Sequence, residues 1–124
     1  MPALPPYDPH NIFARIFRKE IPCNQVYEDE YVLAFHDAFP KAPVHVLVIP
    51  KQEGYRSFDD FSANAPADAI AAFFRAVGII ARQLGLEKEG YRLIANHAKN
   101  GGQEVYHFHM HILGGKPLGA MVTV

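Results

Sequence analysis

Three of the seven histidines fall within five positions, in the stretch "VYHFHMHIL" at residues 105–113. His107, His109 and His111 are each separated from the next by one apolar residue. Successive side chains of a β-strand point to opposite faces, so a strand would place the three imidazoles on one face and the intervening apolar side chains on the other. A helix would scatter the same residues around its axis. The spacing therefore predicts a strand with one imidazole face.

Such a row of imidazoles could bind a metal ion or act directly on a substrate. Histidines on a strand do ligate zinc, but side chains at i and i+4 start roughly 13 Å apart while ligand nitrogens lie about 2 Å from the metal, so at most two could share one ion. Imidazole has an ordinary pKa of about 6.5 and can therefore serve as nucleophile, acid or base near neutral pH. The pattern favours this second chemistry, with phosphorus as a suitable centre of attack.

A glycine-containing loop, "NGGQE" at residues 100–104, immediately precedes the histidines. Consecutive glycines allow backbone N–H groups to approach a phosphate closely, because no side chain stands in the way. The same two glycines could equally form a plain tight loop. Their position next to the histidines favours an anion site.

Two helices that could support this site are predicted by apolar residues recurring every three or four positions. Asp8-Pro9 is a helix-start signal, with Asp at the N-cap and Pro at the first helical position, and it begins a short helix. The longer helix covers about residues 66–84, with Asn64 as its N-cap and Gly85 as its stop.

Alternating apolar residues predict five strands around these helices. The first two lie in "NQVYEDEYVLAFHD" on either side of a turn at residues 28–30. The third is "APVHVLVIPK", the fourth is "GYRLIAN", and the histidine stretch is the fifth, closed by Gly114-Gly115. The predicted fold class is α+β, a five-stranded antiparallel sheet with one long helix and a short N-terminal helix.

One long helix can cover only one face of such a sheet. We therefore expect the apolar residues of the histidine stretch to pack beneath the helix and the imidazoles to lie on the uncovered face, within reach of a ligand. His45, in the third strand, would join them if that strand neighbours the histidine strand.

The composition is that of one globular domain, with 124 residues of which 49% are hydrophobic and 20% charged. A formal charge of −1 provides no excess of positive charge to attract nucleic acid or an anionic membrane, so neither partner is expected. The single Cys23 excludes an intramolecular disulfide, and no signal-peptide pattern is evident, so a cytoplasmic location is expected. Residues 1–10 are predicted to form a short Pro-rich tail and residues 11–124 a single domain.

The motif and its flanks resemble the histidine triad (HIT) superfamily. "HFHMHIL" matches the His-x-His-x-His-x-x signature with apolar x, and "NIFARIFRKEIP", "VYEDEYVLAFHDAFPKAPVHVLVIPK" and "NHAKNGGQEVYHFHMHILGGKPLG" resemble the Hint branch, the purine nucleoside phosphoramidases. The similarity extends from about Asn11 to Gly119. "GGKPLGAM" resembles bacterial members more than animal ones, whose Trp-Pro-Pro-Gly ending is absent here.

The resemblance implies catalytic roles for four histidines and no metal or other cofactor. His109 corresponds to the residue that attacks the α-phosphorus of a nucleoside 5′-phosphoramidate and becomes nucleotidylated as an amine leaves. His111 corresponds to a residue that contacts the phosphate. His107 and His45 correspond to a supporting relay that orients the nucleophile and manages its proton.

The resemblance also implies a substrate-binding set. Asp37 corresponds to a carboxylate that accepts hydrogen bonds from both ribose hydroxyls, which requires two acceptor oxygens. The positions that match those around the purine are Ile12, Phe13, Ile16, Phe35 and Ala38. The positions that match the phosphate-facing loop are Asn96, Gly102, Gln103, Glu104 and Val105. Glu104 stands where animal members often carry Ser, so we expect it to contact phosphate through its backbone N–H.

The function implied is hydrolysis of the P–N bond of adenosine or guanosine 5′-phosphoramidates, including aminoacyl-adenylate-type adducts. Family members are homodimers whose sheets join, which suits a sheet with an exposed edge. A dinucleoside polyphosphate hydrolase of the same superfamily, a purine nucleotide-binding or scaffold protein with residual activity, and a zinc-binding protein are the alternatives.

Overall fold

The computed structural model describes residues 4–122. This part of the chain contains five strands and four helices. In chain order they are α1 (Ile12–Phe17), β1 (Gln25–Glu28), β2 (Val32–His36), β3 (Val44–Pro50), α2 (Phe58–Asn64), α3 (Ala67–Gln83), β4 (Tyr91–Ile94), α4 (Ala98–Gly101) and β5 (Met110–Gly114).

The five strands form one sheet in the order β1-β2-β3-β5-β4, and every neighbouring pair is antiparallel. The α+β prediction with one long helix and a short N-terminal helix is therefore confirmed. β3 and β5 are neighbours at the centre of the sheet, which brings the strand of His45 beside that of His111. None of the helices within residues 4–122 is both long and apolar enough to cross a membrane.

The larger core lies between the sheet and α3. Alternate residues of the histidine stretch point into it, and Phe108 stacks on Phe61 of α2 with ring centroids 4.9 Å apart and lies 5.0 Å from Phe73 of α3. Full burial of aromatic side chains makes such a cluster a main source of stability. The predicted burial of Phe108, Met110 and Ile112 is confirmed.

The opposite face of the sheet is covered by α1, and the expectation of an uncovered imidazole face is wrong. Phe13 and Ile16 of α1 pack on a second core cluster whose sheet residues are Leu33, Phe35, Leu47 and Ile49. The helix is short, with six residues, but its apolar stripe lies directly over the centre of the sheet. His45, His107 and His109 are consequently buried, and His111 is partly exposed.

Several element boundaries differ from the sequence predictions. Asn11, and not Asp8, is the N-cap of α1, because its side-chain oxygen accepts the Ala14 N–H at 2.9 Å while the Asp8 carboxylate accepts the N–H of His10. Asn64 is the last residue of α2 rather than a cap of α3, since Pro66 disfavours helical geometry at the residue before it and separates the two helices.

The predicted end of α3 is confirmed, because Gly85 follows the helix with a φ of +73°, a conformation that glycine adopts at little cost. The fifth strand begins later than the motif suggested. Only residues from Met110 onward form ladder pairs, so His107 and His109 lie in the segment that leads into β5.

Candidate active site

Four histidines meet on the α1 side of the sheet. His111 on β5 lies opposite Leu47, and His45 on β3 lies opposite Leu113. His45 Nε2 is 2.8 Å from His111 Nδ1, and the rings of His109 and His111 have centroids 5.2 Å apart. The structure thus brings the fourth histidine into the cluster, as the strand pairing required.

A roof of aromatic side chains encloses these imidazoles. The ring of Phe13 lies 4.9 Å from that of His109, edge to face, and Phe17 lies 5.7 Å from His107. His107 has no exposed surface and His109 is 8% exposed. A ligand would therefore reach the cluster from the side of His111, which is the more exposed of these rings.

The tautomer of neutral His109 follows from a single hydrogen bond. Its Nδ1 lies 2.7 Å from the main-chain carbonyl oxygen of His107, and a carbonyl can only accept, so Nδ1–H donates. The Nε2 atom then carries an unprotonated lone pair. Burial lowers the pKa of His109 despite the opposing influence of the His107 carbonyl and the carboxylates of Asp37 and Glu104. His109 is therefore a neutral imidazole with a free nucleophilic nitrogen at neutral pH.

A second chain of hydrogen bonds fixes the tautomers of His45 and His111. The Lys41 N–H donates to His45 Nδ1 at 3.0 Å, so Nε2 of neutral His45 carries the proton and donates to His111 Nδ1. The proton of neutral His111 consequently lies on Nε2. Burial, together with the charged forms of His109 and His45, lowers the pKa of His111 to about 4. His111 is thus a neutral N–H donor whose ring lies 5.2 Å from that of His109.

His107 has partners at both ring nitrogens. Its Nε2–H donates to the Pro50 carbonyl at 3.0 Å, and its Nδ1 accepts from the Tyr7 hydroxyl at 2.7 Å. Burial lowers the pKa of His107 to about 4. With both nitrogens occupied it has no free position for a ligand, and it contributes to the site through the carbonyl that orients His109.

Asp37 follows β2 and faces the same cluster. One carboxylate oxygen accepts the Phe39 N–H at 2.8 Å, and the other lies 3.4 Å from His45 Nε2. Its side chain is 19% exposed. A carboxylate has about four lone-pair positions, so acceptor capacity remains for two hydroxyl groups.

The same residues form the one group within the described chain whose donor atoms could share a metal ion. The ligand atoms of Asp37, His45 and His111 all lie within 4.8 Å of one another. His45 Nε2, however, carries a proton because Nδ1 accepts from Lys41, and a metal ion at Nε2 would have to displace that proton. The geometry is therefore that of a hydrogen-bonded relay more than that of a metal centre.

The residues matched to the purine site divide into two groups. Phe13, Ile16 and Phe35 are buried in the second core cluster, where they shape the floor and roof of the site. Ile12 at the start of α1 is 48% exposed, and Ala38 in the loop after β2 is also exposed. A flat apolar ligand would find these two side chains directly accessible.

The glycine loop folds as the short helix α4 and turns sharply at Gly102, whose φ is +72°. The Gln103 side chain is buried beneath it. Its Oε1 accepts the Ala98 N–H at 2.9 Å, and its Nε2 donates to the carbonyls of Arg56 at 2.7 Å and Val105 at 3.0 Å. Gln103 therefore braces the loop, and because its own N–H donates to the Ala98 carbonyl at 3.0 Å, neither its side chain nor its N–H is available to a ligand.

The other loop residues lie close together. A Cβ on Gly101 would stand 3.4 Å from the Asn96 backbone, so the loop crosses Asn96 in close contact. Glu104 is exposed, and Val105 packs against the second core cluster. The loop thus leads directly from Asn96 to the histidine segment.

The site contains partners that sequence reasoning missed. Tyr7 lies in a stretch predicted to be a tail, and no pattern in "PPYDP" signals its contact with His107. The roles of the Lys41 N–H and the Pro50 carbonyl belong to the main chain and depend on tertiary packing. Side-chain identity carries no information about such contacts.

Acid should destabilise the protein through the buried neutral histidines. The pKa of His107 is about 4 when folded and about 6.5 when unfolded, so the unfolded state binds more protons between these values and stability falls as pH falls. We expect His107 alone to reduce the free energy of unfolding by about 2 kcal/mol between pH 7 and pH 5. Urea unfolding at the two pH values measures this difference, and an unchanged free energy would contradict the buried neutral state.

Comparison with known proteins identifies the family. The HIT domain family matches residues 18–118. An uncharacterised HIT-like protein of Azospirillum brasilense is 53% identical over 117 residues, covering 94% of this chain and 95% of that protein. The purine nucleoside phosphoramidase of Escherichia coli K12 is 47% identical over 112 residues, covering 90% of this chain and 92% of that enzyme.

Solved structures agree with the sequence relatives. A histidine triad protein from Clostridium difficile superposes with a TM-score of 0.81 at 39% identity, covering 98% of this chain and all of that one (100%). A HIT family hydrolase from Legionella pneumophila superposes with a TM-score of 0.82 at 39% identity, covering 89% of this chain and 96% of that one. From its histidine motif, its fold and these relatives, the chain belongs to the HIT domain family.

Proposed function

We propose that the protein hydrolyses the P–N bond of purine nucleoside 5′-phosphoramidates through a nucleotidyl-His109 intermediate. The observation that carries the proposal is the hydrogen bond from His109 Nδ1–H to the His107 carbonyl, which leaves Nε2 unprotonated in a buried site. Neutral imidazole with an oriented lone pair is the reactive form of a histidine nucleophile. The similarity to an enzyme named purine nucleoside phosphoramidase supports the choice of bond.

The reaction divides into two displacements at phosphorus. His109 Nε2 attacks the α-phosphorus, the P–N bond to the amine breaks, and the amine leaves with the bonding pair and takes up a proton from solvent. Water then attacks the same phosphorus and releases a proton to solvent, the bond to His109 breaks, and the nucleoside monophosphate is released with His109 restored. Splitting one displacement into two easier steps is the advantage of a covalent intermediate.

The relay from Lys41 through His45 to His111 supports both steps. Because Nε2 of neutral His111 carries the proton, it can donate a hydrogen bond to the phosphate oxygen on which charge develops. The hydrogen bond from His45 Nε2–H to His111 Nδ1 keeps the proton of neutral His111 on Nε2. Their fixed tautomers require no rearrangement when the substrate enters.

The nucleoside would occupy the opening beside these groups. Asp37 offers acceptor positions for the ribose hydroxyls, and Ile12 and Ala38 offer exposed apolar contacts for the base. The loop offers the main-chain N–H groups of Glu104 and Val105 to the phosphate, since those of Gly102 and Gln103 donate to the carbonyls of Lys99 and Ala98. This arrangement supports an adenosine or guanosine 5′-phosphoramidate, including aminoacyl-adenylate-type adducts.

The experiment that tests the proposal compares two substrates. The purified protein is incubated with adenosine 5′-phosphoramidate and with a diadenosine polyphosphate, each in excess chelator. We expect metal-independent release of AMP from the phosphoramidate at the higher rate. Faster cleavage of the diadenosine polyphosphate would favour a dinucleoside polyphosphate hydrolase. Binding of AMP without turnover of either substrate would favour a nucleotide-binding role.

We further propose that two copies join through β4. Within residues 4–122, β1 and β4 are the edges of the sheet. β1 carries an irregularity between Gln25 and Tyr27, whereas β4 exposes Tyr91 (40%) and Leu93 (42%) on an unpaired edge. Bulges protect an edge from pairing, and exposed apolar side chains favour it. A symmetric pairing of β4 with β4 would extend the sheet across both copies.

Replacing Leu93 with lysine should therefore disrupt the dimer. The charge would be placed at an apolar edge next to its own symmetry mate, which adds repulsion and a desolvation cost to the lost contact. We expect the wild type to have the mass of a dimer and Leu93→Lys that of a monomer, measured by light scattering after size-exclusion chromatography. The control is Gln25→Lys on the other edge, and a dimeric Leu93→Lys would contradict the β4 interface.

A further inference from the structure

Tyr7 belongs to the N-terminal segment (residues 4–10), whose place over the fold is fixed at both ends. Arg56 Nη1 donates to the carbonyls of Leu4 at 3.3 Å and Pro5 at 3.4 Å, and Arg56 is itself held by Asp60. At the other end the Asp8 carbonyl accepts from the Asn11 side chain at 2.7 Å, which ties the segment to the N-cap of α1. The segment is thus anchored on either side of Tyr7.

The Tyr7 hydroxyl is the donor in its contact with His107. His107 Nε2–H donates to the Pro50 carbonyl, so Nδ1 of the neutral ring must accept, and the hydroxyl 2.7 Å away supplies the hydrogen. Burial raises the pKa of Tyr7, which keeps the hydroxyl protonated through the neutral range. The two rings also pack with centroids 5.8 Å apart.

The Tyr7 hydroxyl and the Pro50 carbonyl are the two hydrogen-bond partners of the His107 ring. With no exposed surface, its Nδ1 has no access to bulk water, and an unpaired buried acceptor is costly. Without the hydroxyl the ring would have to rotate or take up a proton. Either change would disturb the residue whose carbonyl holds His109 Nδ1–H at 2.7 Å.

We propose that Tyr7 is a positioning residue for the hydrolysis, holding His107 in its neutral Nε2–H form so that the His107 carbonyl aligns His109 for attack. The assignment rests on the proposed function for its catalytic part. Its structural part, the contact itself, can be tested without turnover. Tyr7 lies in the segment predicted from composition to be a tail, and the proposal gives that segment a role in the site.

The groups that face His107 determine how its protonation would change if the Tyr7 hydroxyl were removed. They are Tyr7 from the N-terminal segment, the Pro50 carbonyl from β3, the neighbouring His109, and the uncharged rings of Phe13 and Phe17 from α1. No carboxylate is among these contacts. Removing the hydroxyl therefore removes the one group that satisfies Nδ1 without a proton.

The test uses Tyr7→Phe, which keeps the ring and its packing and deletes only the hydroxyl. Nitrogen NMR of histidine-labelled protein reports whether each imidazole nitrogen carries a proton. In the wild type we expect His107 Nδ1 to remain unprotonated at pH 6, and in Tyr7→Phe we expect it to gain a proton at higher pH than in the wild type. The matched control is Tyr31→Phe, whose hydroxyl contacts Asp68 on the surface.

Kinetics supply the second readout. We expect Tyr7→Phe to lower kcat for adenosine 5′-phosphoramidate about fivefold to tenfold, the kinetic equivalent of one hydrogen bond, with KM changed less than about twofold. Tyr31→Phe should match the wild type in both readouts. A general loss of stability would also lower the apparent kcat in proportion to the folded fraction with KM unchanged, but it would leave the His107 signal of the folded fraction unchanged, so the NMR readout separates the two causes.

The outcomes separate the two proposals. An unchanged His107 signal, or an altered signal with unchanged kcat, would overturn the positioning role. A wild-type protein that leaves the phosphoramidate intact, while its His107 signal still responds to Tyr7→Phe, would overturn the proposed function and the catalytic part of this inference but support the contact. Both readouts changing in Tyr7→Phe alone would support the positioning role.

Discussion

His109→Ala is expected to reduce kcat for adenosine 5′-phosphoramidate by about 10⁴-fold or more. Within the cluster, the substitution removes the one imidazole whose Nε2 carries an unprotonated lone pair. The Nε2 atoms of neutral His107, His45 and His111 each carry a proton. Loss of a covalent nucleophile typically costs this much, because only transition-state binding remains. Initial rates over a range of substrate concentration measure the effect.

The control is His36→Ala, which removes an exposed histidine at the end of β2. It should retain wild-type kcat and KM. Binding of AMP to His109→Ala, measured by calorimetry, should survive, because the ribose and base contacts lie elsewhere. Activity of His109→Ala within about tenfold of the wild type would rule out a covalent role for this residue.

Asp37→Ala is expected to raise KM for a ribonucleotide substrate by about 150-fold or more. Hydrogen bonds to a charged acceptor contribute about 1.5–3 kcal/mol each, and two ribose hydroxyls would lose theirs. The effect should be larger on KM than on kcat, because the contact is made in the ground state and the transition state alike. Asp37 also lies 3.4 Å from His45 Nε2, so a smaller decrease in kcat is expected as the relay loses a neighbour.

Sugar variants of the substrate make this prediction specific. The wild type should discriminate against 2′-deoxy and 3′-deoxy nucleoside phosphoramidates, and Asp37→Ala should lose most of that discrimination. Asp59→Asn on α2, where the side chain is exposed, is the matched control. Equal discrimination by the wild type and Asp37→Ala would show that ribose is recognised elsewhere.

The sheet could be predicted because the alternation of side chains along a strand is a local pattern in the sequence. Alternation in the stretches around His45 and His111 reports directly which side chains share a face, and the neighbouring strands then bring those faces together. The long helix was equally clear, since its apolar residues recur at three and four positions over 17 residues. These features depend on nearest neighbours along the chain.

The enclosure of the site could not be predicted in the same way. The apolar stripe of α1 was recognised, but its placement over the imidazoles depends on contacts such as Phe13 with His109 that are distant in sequence. The sequence analysis did not predict α2, although Ser57 and Asp60 have the residue types of a capping box. In the structure the Ser57 hydroxyl makes no cap hydrogen bond, and Asp60 accepts the Arg56 N–H at 3.0 Å instead. Asn64 therefore ends α2 and does not cap α3.

The tautomers depend on groups that the sequence does not reveal. A main-chain carbonyl sets the state of His109, a main-chain N–H sets that of His45, and the Tyr7 hydroxyl completes His107. Each is a long-range or backbone contact, and each decides which nitrogen can react. His109 could be chosen as the candidate nucleophile from family resemblance, whereas the physical reason proposed for its reactivity required the fold.

Direct detection of the intermediate tests the central claim. Wild-type protein is mixed with adenosine 5′-phosphoramidate, quenched rapidly at a pH that preserves phosphohistidine, and analysed by intact-mass and peptide mass spectrometry. We predict a mass increase of one adenylyl group, located on His109 and absent from His109→Ala. Turnover by the wild type with no adduct at any quench time, or with the adenylyl group on a different residue, would contradict the account.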